Sequence, residues 1–109
     1  MVARVTLAEV DVLRTSLDAA VRRYRESVLP VLEAEEGYAG SYVLTTSTGK
    51  ALVLTFWDTP EAADAGLTSG LYEAQVAKFV TFFRAAPGRE TYDVAIADAP
   101  ASNAVETGP

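Results

Sequence analysis

The stretch GYAGSYVLTTSTGKALVLTFWDTPEAA, residues 37–63, decides how this chain folds. Apolar and polar residues alternate on both sides of a short segment ending in Gly49. This pattern predicts two strands, Tyr38 to Thr46 and Lys50 to Trp57, joined by a turn. The Thr59-Pro60 pair that follows is typical of a helix start, because threonine accepts from an exposed N–H group and proline has none to satisfy. The stretch therefore predicts a β-hairpin that leads directly into a helix.

A strand and a helix are predicted before the hairpin. Alternation from Val2 to Leu7 indicates the first strand. We expect the helix to begin at Thr15, which has capping-box spacing to Asp18, and to end at Gly37, where left-handed backbone angles are easily adopted. Pro30 lies within the helical pattern and predicts a kink or a break. The apolar residues that recur at helical spacing are Leu17, Ala20, Val21, Tyr24, Val28, Val31 and Leu32.

A second helical region and a last strand are predicted after the hairpin. Gly66 and Gly70 interrupt the helical region, so we expect a short helix followed by a longer one. Alternation from Arg89 to Ala97 indicates the last strand. Residues 98–109 are small and polar and predict a flexible C-terminal tail, which leaves residues 1–97 as one domain. The inward face of the longer helix is expected to consist of Tyr72, Val76, Phe79, Val80 and Phe83.

The element order and the strand patterns predict an α+β domain with a covered and an uncovered sheet face. Side chains alternate across a strand, and two helices can cover only one face of a four-stranded sheet. One face is large and apolar, and we expect the helices there. The mixed face, with Thr6, Val53 and Trp57, suits an interface between sheets or the wall of a pocket; the alternative is a monomer with a half-solvated sheet. The large apolar face consists of Val5, Leu7, Tyr42, Leu44, Leu52, Leu54, Phe56, Tyr92, Val94 and Ile96.

The composition excludes several classes of protein. The 109 residues contain no cysteine and no histidine, so disulfides, thiol nucleophiles and histidine-based metal or proton-transfer sites are excluded. The formal net charge of -6 argues against nucleic acid as a partner, since phosphate binding needs clustered lysine and arginine. No apolar run is long enough to span a membrane, so we expect no membrane partner and a cytoplasmic location. Hydrophobic residues make up 50% of the chain, which predicts a homodimer through the sheet.

Five short segments, taken in order, carry a resemblance to a known family. They are YRESVLPVL (residues 24–32), Gly37-Tyr38 with Gly40, GKAL (residues 49–52), the Trp57-Asp58 step into Glu61-Ala62, and ETYDV (residues 90–94). With these segments the chain resembles the antibiotic biosynthesis monooxygenase (ABM) domain of the dimeric α/β-barrel superfamily, over residues 2–97. The resemblance implies a ferredoxin-like monomer, with a four-stranded antiparallel sheet and two helical layers on one face. It also implies that the sheet packs against a partner's sheet in a dimer.

The resemblance implies less about the activity of this chain than about its fold. In the quinone-forming members, catalysis without metal or flavin is attributed to an Asn, a Trp and an Arg around a bound aromatic polyketide. Trp57 matches the Trp, whereas Val53 stands where the Asn is expected. No Arg lies between Trp57 and Phe83, and the nearest cations are Lys78 and Arg84. The haem-degrading members need a His to ligate iron, and the absence of His excludes that branch.

Four aromatic residues form the candidate site. Trp57 and Tyr72 are candidate catalytic residues, because an indole N–H or a phenol can orient a carbonyl of a ligand. Tyr24 and Phe79 join them as candidate substrate-binding residues. Each has a structural alternative: Trp57 could close the end of the sheet, and the other three could simply pack in the helical stripes. We expect no metal and no cofactor, and a small aromatic ligand as the partner besides a second copy of the chain.

Two functions are compatible with these residues. The first is a cofactor-independent monooxygenase that oxidises an electron-rich aromatic of polyketide type, such as a phenol or an anthrone, with O₂. The second is a non-catalytic dimer of the same fold that binds a small ligand or serves in a stress response. An enzyme needs a polar group that stabilises a phenolate. The candidates are Trp57, Tyr72 and Arg4. We expect Arg4 to form a structural ion pair with Asp93, either across the first and last strands or across the dimer.

Overall fold

The computed structural model describes residues 1–98. The predicted tail, residues 98–109, lies outside this part of the chain except for Asp98. The elements follow the predicted order, and each helical region consists of shorter pieces. In chain order they are β1 (Val2–Glu9), α1 (Leu17–Arg23), a π-helical segment (Tyr24–Val28), α2 (Leu29–Glu33), β2 (Tyr38–Thr45), β3 (Lys50–Trp57), α3 (Pro60–Thr68), α4 (Leu71–Ala77) and β4 (Gly88–Asp93).

The four strands form one antiparallel sheet in the order β2-β3-β1-β4. Strand β1 is central, so that Val5 lies opposite Leu54 of β3 on one side and opposite Glu90 of β4 on the other. Helices connect β1 to β2 and β3 to β4, which is the ferredoxin-like arrangement, and the predicted fold class is confirmed. Strand β4 is shorter than predicted and ends at Asp93 rather than at Ala97.

The first helical region begins one residue later than predicted. Ser16, not Thr15, is the cap, and its Oγ accepts a hydrogen bond of 3.0 Å from the Ala19 N–H. Directly before Pro30 the backbone forms the π-helical segment, in which the N–H after Val28 bonds to the carbonyl of Tyr24. Because proline has no N–H to bond back to the preceding turn, the hydrogen-bond ladder is rearranged at this point. The prediction of a kink or a break is thus confirmed only as a break in the α-helical hydrogen-bond pattern, because the helical run itself continues without a gap to Glu33, where it ends before the predicted Gly37.

Two glycines are required where the hairpin meets its neighbours. Gly37 has a φ of +81°, and a Cβ there would lie 2.6 Å from the Cβ of Ala62 in α3. Gly49 in the hairpin turn has a φ of +105°, and a Cβ there would lie 2.5 Å from the carbonyl oxygen of Val10. A residue with a side chain would be strained and crowded at either position.

The second helical region is interrupted only once. Thr59 caps α3 as predicted, because its Oγ1 accepts a hydrogen bond of 3.1 Å from the Ala62 N–H. The helix continues through Gly66, which is buried, so the interruption predicted there is wrong. The break comes at Gly70, where φ is +83°. With 7 residues α4 is shorter than α3, which has 9, so the predicted order of a short helix and then a longer one is wrong. Helix α4 ends at Ala77, and Val80, which was expected on its inward face, is 72% exposed.

The helices cover the mixed face of the sheet, and the expectation that they cover the large apolar face is wrong. Arg4 and Trp57 lie on the mixed face and are only 3% and 4% exposed. We call this the inner face and the opposite one the outer face. Alternation separates the two faces but does not show which one the helices of the same chain will cover. The exposed large hydrophobic residues of the strands on the outer face are Leu7, Tyr42, Leu44 and Tyr92.

The core lies at the end of the sheet where β1 starts and β3 stops. There Trp57 packs edge-on against Tyr38, with ring centroids 5.6 Å apart. Ala63 of α3 is completely buried beside it, because only a small side chain lets the helix approach the sheet this closely. The buried cluster consists of Val2, Val28, Leu32, Trp57 and Ala63.

Candidate functional site

A cavity of about 110 Å³ lies between the inner face of the sheet and the two helical regions, and it is partly open to solvent. Its walls are mainly aliphatic and aromatic, with a few hydroxyl groups among them. An apolar cavity of about 150 Å³ is known to hold benzene, so the space inside this one has the size for roughly a single ring. A fused-ring molecule has to extend through the side that is open to solvent. The residues that matter below are Thr6, Tyr24, Val53, Thr55, Tyr72 and Phe79.

Three of the four predicted site residues meet at this cavity. Tyr24 comes from the π-helical segment and Tyr72 from α4, and both line the cavity. Phe79 follows α4 and stacks on Phe83 with ring centroids 6.0 Å apart. These three aromatic residues thus combine the two roles considered from the sequence, packing and ligand contact, because the same rings pack against the protein and border the cavity.

Tyr72 supplies a hydroxyl to the cavity wall. Its phenol oxygen lies 2.7 Å from Oγ1 of Thr6 on β1, and either group could be the donor. Two guanidinium groups flank the ring: Cζ of Arg4 lies 6.0 Å and Cζ of Arg89 lies 5.3 Å from its centroid. Cation–π contacts at these distances are attractive and hold the ring in place.

Arg4 is a buried cation at the edge of this site. Its Nη1 donates to the carbonyl oxygen of Ala63 at 2.8 Å, and its Nε and Nη2 donate to Oγ1 of Thr91 at 3.3 and 3.2 Å. The Asp64 carboxylate is 3.6 Å away. Burial lowers the pKa of Arg4, and the Asp64 carboxylate opposes this shift. Within the chain the ionic partner of Arg4 is Asp64 of α3, so the predicted pairing with Asp93 across the first and last strands is wrong. The alternative, a pairing with Asp93 across the dimer, stays a prediction.

Tyr24 forms a second polar point on the wall. Its phenol oxygen lies 2.6 Å from Oγ of Ser41, and Ser41 donates onward to the carbonyl oxygen of Leu54 at 2.9 Å. Burial raises the pKa of Tyr24 to about 12, against the opposing effect of the Ser41 hydrogen bond. The phenol is therefore neutral at physiological pH and cannot serve there as a ready proton acceptor.

Trp57 is the one predicted site residue that the structure places away from the cavity. It is only 4% exposed, belongs to the core cluster, and is not one of the residues that line the cavity. Its indole Nε1 donates to Oγ1 of Thr55 at 3.0 Å. Because Thr55 does line the cavity, Trp57 reaches the site through that hydroxyl.

Three threonines that line the cavity, Thr6, Thr45 and Thr55, are not among the candidate site residues predicted from the sequence. Thr6 and Thr55 both lie on the mixed face, and their alternation with apolar neighbours could have identified them once that face was known to bound the cavity. Val53 also lines the cavity, at the position where the ABM resemblance implies an Asn. An aliphatic wall therefore stands where the resemblance implies an amide.

The chemistry available at this site is that of neutral hydroxyls in an apolar wall. Within residues 1–98, no group of three or more carboxylate, histidine or cysteine side chains is placed to hold a metal ion. In the same range, no helix has the length and apolar character needed to cross a membrane. The chain has no histidine to act as a general base. The arrangement is suited to holding an uncharged aromatic molecule by its apolar surface and one polar group.

Neither protein-family models nor curated proteins match this chain. Solved structures do. A protein of unknown function from Nitrosomonas europaea superposes with a TM-score of 0.70 at 22% identity, over 93% of this chain and 95% of that one. A protein from Deinococcus radiodurans, provisionally named an antibiotic biosynthesis monooxygenase, superposes with a TM-score of 0.69 at 14% identity, over 92% of this chain and 98% of that one.

A third similar structure is a monooxygenase from the ActVA-Orf6 gene of Streptomyces coelicolor, in complex with nanaomycin D. It superposes with a TM-score of 0.69 at 12% identity, over 92% of each chain. At such identities the likeness concerns the fold. The chain therefore has the fold of the ABM proteins along nearly its whole length, as the resemblance in the sequence implies.

Proposed function

We propose that this chain is a member of the ABM family that binds a small, flat aromatic ligand in the cavity between sheet and helices. The observation that carries the proposal is the Tyr72–Thr6 hydroxyl pair, 2.7 Å apart, in a cavity wall that is otherwise mainly apolar. Such a site favours a ring with a polar substituent, because the wall buries the ring and the hydroxyls orient the substituent. The ligand in the ActVA-Orf6 monooxygenase structure supports a ligand site in this fold.

The four candidate residues take different parts in this proposal. Tyr72 hydrogen-bonds the polar substituent, while Tyr24 and Phe79 contact the ring of the ligand. Trp57 acts from the core, behind Thr55. Two aromatic side chains on the cavity wall contribute contact area at a small cost in conformational freedom.

Binding can be followed by the fluorescence of Trp57, the only tryptophan in the chain. We expect 1,4-naphthoquinone to quench it saturably. Tyr72→Phe removes one neutral hydrogen bond and should weaken binding about fivefold. Tyr42→Phe removes a hydroxyl from the outer face instead and should leave the affinity unchanged. Quenching that rises linearly with quinone concentration, as for free N-acetyltryptophanamide, would contradict a binding site.

A second candidate function is oxidation of the ligand by O₂ without a cofactor. It is favoured by the fold that this chain shares with a monooxygenase in complex with a small ligand. The substrate would be a phenol or an anthrone that loses a proton and reduces O₂ itself. One oxygen atom becomes a ring C=O, at a CH₂ in an anthrone or at a C–H in a phenol that is converted to a quinone, and the other oxygen atom leaves as water. The neutral Tyr24 and the lack of histidine supply no strong base, so ionisation would depend on the acidity of the substrate.

An oxygen electrode separates the two candidates. With anthrone as the test substrate, an enzyme should consume O₂ faster than the buffer alone, in proportion to protein concentration. Tyr72→Phe should lower this rate if its hydroxyl stabilises the developing oxyanion. Saturable binding of naphthoquinone without any acceleration of O₂ uptake would leave ligand binding as the function.

We also propose that the protein is a homodimer through the outer face of the sheet. Leu7 and Leu44 on that face are 45% and 52% exposed in the single chain, on neighbouring parts of a continuous apolar surface. Burying apolar area stabilises association by about 25 cal/mol per Å² before the entropic cost of association is subtracted. Contiguous surfaces of this kind mark interaction sites more often than they remain in water.

Light scattering at micromolar concentration tests the assembly. We expect twice the mass of a single chain for the wild type and for Leu13→Asp, whose residue is 95% exposed but lies in the loop before α1. Leu44→Asp should give the single-chain mass, because a carboxylate in an apolar interface loses its hydration. A single-chain mass for the wild type would refute the dimer without affecting the ligand site.

A further inference from the structure

Hydroxyl hydrogens on the cavity wall can be assigned from their partners. A threonine or tyrosine hydroxyl has one hydrogen to donate and can accept through its lone pairs. Each hydroxyl that only accepts therefore keeps a hydrogen for another partner, and each one whose hydrogen is already used can only accept. Besides Thr45, three hydroxyl sites lie on the wall, at Thr55, at Thr6 with Tyr72, and at Tyr24, and these three can be sorted in this way.

Thr55 keeps its hydrogen. Its Oγ1 accepts from Nε1 of Trp57 at 3.0 Å, and an indole N–H can only donate, so the direction of this bond is certain. Its neighbour across β1 is Arg4, whose guanidinium has donors and no acceptor. Its neighbour across β2 is Ser41, whose hydroxyl is already bonded to Tyr24 and Leu54. The Thr55 hydrogen is therefore available to an acceptor in the cavity.

The Thr6–Tyr72 pair also keeps one hydrogen. Two hydroxyls 2.7 Å apart share a single hydrogen bond, so one of the two hydrogens remains whichever group donates. Thr6 lies opposite Val53, two residues from Thr55 on β3. Such diagonal positions on one sheet face lie about 7 Å apart. The cavity thus has a second hydroxyl donor near Thr55, on Thr6 of β1 or on Tyr72 of α4.

Tyr24 is the opposite case. Ser41 uses its only hydrogen on the carbonyl oxygen of Leu54 at 2.9 Å, so the hydrogen between Ser41 and Tyr24 must come from Tyr24. The Tyr24 oxygen can then only accept. The cavity therefore has a donor at Thr55 on its strand wall, a second donor at the Thr6–Tyr72 pair, and an acceptor at Tyr24 on its helical wall.

From this arrangement we infer that Thr55 is a specificity-determining residue, which selects aromatic ligands with an acceptor oxygen, and that Trp57 is its positioning residue. The inference rests on the proposed ligand-binding function. The Trp57 N–H occupies a lone pair of Thr55 Oγ1 and thereby turns the threonine hydrogen away from the core. Ligands of the aryl ketone class would accept that hydrogen, whereas the corresponding hydrocarbon would leave it without a partner.

Calorimetry with 1-indanone and indane tests this inference, since the two ligands differ only in the carbonyl group. We expect the wild type to bind the ketone more tightly than the hydrocarbon. Thr55→Val, which keeps the shape and removes the hydroxyl, should lower the ketone affinity about fivefold. It should not lower the affinity for indane and can raise it, because no hydroxyl hydrogen is then left without a partner. Thr68→Val is the matched control on the exposed surface of α3, where the hydroxyl bonds to the carbonyl of Ala65 at 3.2 Å. It should change neither affinity.

The role of Trp57 needs a readout that a packing defect would not change. Trp57→Phe should reduce the ketone-to-hydrocarbon affinity ratio as Thr55→Val does, and the double variant should be no worse than either one. If Trp57→Phe does not fold, benzothienylalanine at position 57 keeps the ring size and lacks only the N–H. Effects of the two variants that multiply in the ratio would overturn the positioning role.

Failure of this inference is distinguishable from failure of the proposed function. A protein that binds indanone and indane equally, with a ratio unchanged by Thr55→Val, binds aromatic ligands but does not use Thr55 to select them. That result overturns the inference and leaves the proposed function intact. A wild-type protein that binds neither indanone, indane nor 1,4-naphthoquinone overturns both.

Discussion

Replacing Gly37 with alanine tests the close approach that joins the hairpin to α3. Gly37 has a φ of +81°, and an added Cβ would lie 2.6 Å from the Cβ of Ala62. Gly70 is the matched control: its φ is +83°, and nothing lies within 4 Å of an added Cβ. The two positions share the backbone conformation and differ in the contact, so the difference between their alanine variants isolates the steric contribution.

The expected free energies follow from these geometries. Alanine in the left-handed region destabilises the folded state by about 1–2 kcal/mol. Alanine also lowers the conformational entropy of the unfolded chain, which offsets about 0.4–1 kcal/mol of this cost. Gly70→Ala should therefore lower the free energy of unfolding by about 1 kcal/mol. At Gly37 the added methyl group must also displace its neighbour, and overpacking of this kind costs about 1–3 kcal/mol. We expect Gly37→Ala to cost about 2–4 kcal/mol in total.

Guanidinium unfolding followed by Trp57 fluorescence gives the measurement, because Trp57 is buried in the core. A double-mutant cycle with Ala62→Gly adds a direct check. Ala62→Gly alone should cost about 1 kcal/mol through helix propensity. Combined with Gly37→Ala it should recover most of the steric cost, a coupling of about 1–3 kcal/mol. Equal losses for Gly37→Ala and Gly70→Ala, or a coupling near zero, would refute the close approach as the reason for this glycine.

Two further perturbations address the cavity walls. Burial raises the pKa of Tyr24 from its usual 10.0 to about 12 in the folded state. Between pH 10 and pH 12 the phenol therefore ionises more readily in the unfolded chain, and the free energy of unfolding falls as the pH rises through this interval. In urea unfolding we expect the free energy of unfolding to fall by roughly 2 kcal/mol more for the wild type than for Tyr24→Phe across this interval. Burial also raises the pKa of Tyr38, so only the difference between the two proteins reports on Tyr24. Free energies of unfolding that fall equally with pH in both proteins would contradict a buried Tyr24 phenol. Nζ of Lys78 donates to the Ser27 carbonyl at 2.7 Å and to Oε1 of Gln75 at 2.8 Å, which ties the first helical region to α4. Lys78→Met should cost about 1–2 kcal/mol and speed hydrogen exchange in α4, whereas the exposed Lys50→Met should do neither; equal exchange rates would show that this bond does not hold α4.

Several local features of the fold could be predicted from the sequence because they depend on neighbouring residues. The hairpin strands and the cap at Thr59 follow from alternation and from the hydrogen-bonding capacity of single side chains. The break near Pro30 follows from a missing N–H, and the chain reversal at Gly37 follows from its backbone freedom. The cap at Thr15 was wrong by one residue, since Ser16 beside it has the same capping chemistry and the local pattern does not separate them.

The candidate site was predicted only in part. The helical stripes bring Tyr24, Tyr72 and Phe79 to one cavity because residues on one helix face share a direction. Trp57 was placed at a pocket from its position at a strand end, and the structure puts it in the core with its N–H bonded to Thr55. The position at a strand end determines where the backbone of Trp57 lies. Whether its side chain lines a cavity or is buried in the core depends on how the helices pack over that end of the sheet.

By itself the sequence determined the order of the elements, their local start and stop points, and the division of each strand into two faces. Only the tertiary structure decided that the helices cover the inner face and that the larger apolar side chains lie on the outer one. It also decided the partners that are distant in the chain, such as Arg4 with Asp64 and Thr6 with Tyr72. The physical reason is that hydrophobic burial is non-directional. Alternation along a strand therefore predicts that one face of the sheet is apolar. The path of the helices over the sheet determines which face they cover and where a cavity remains.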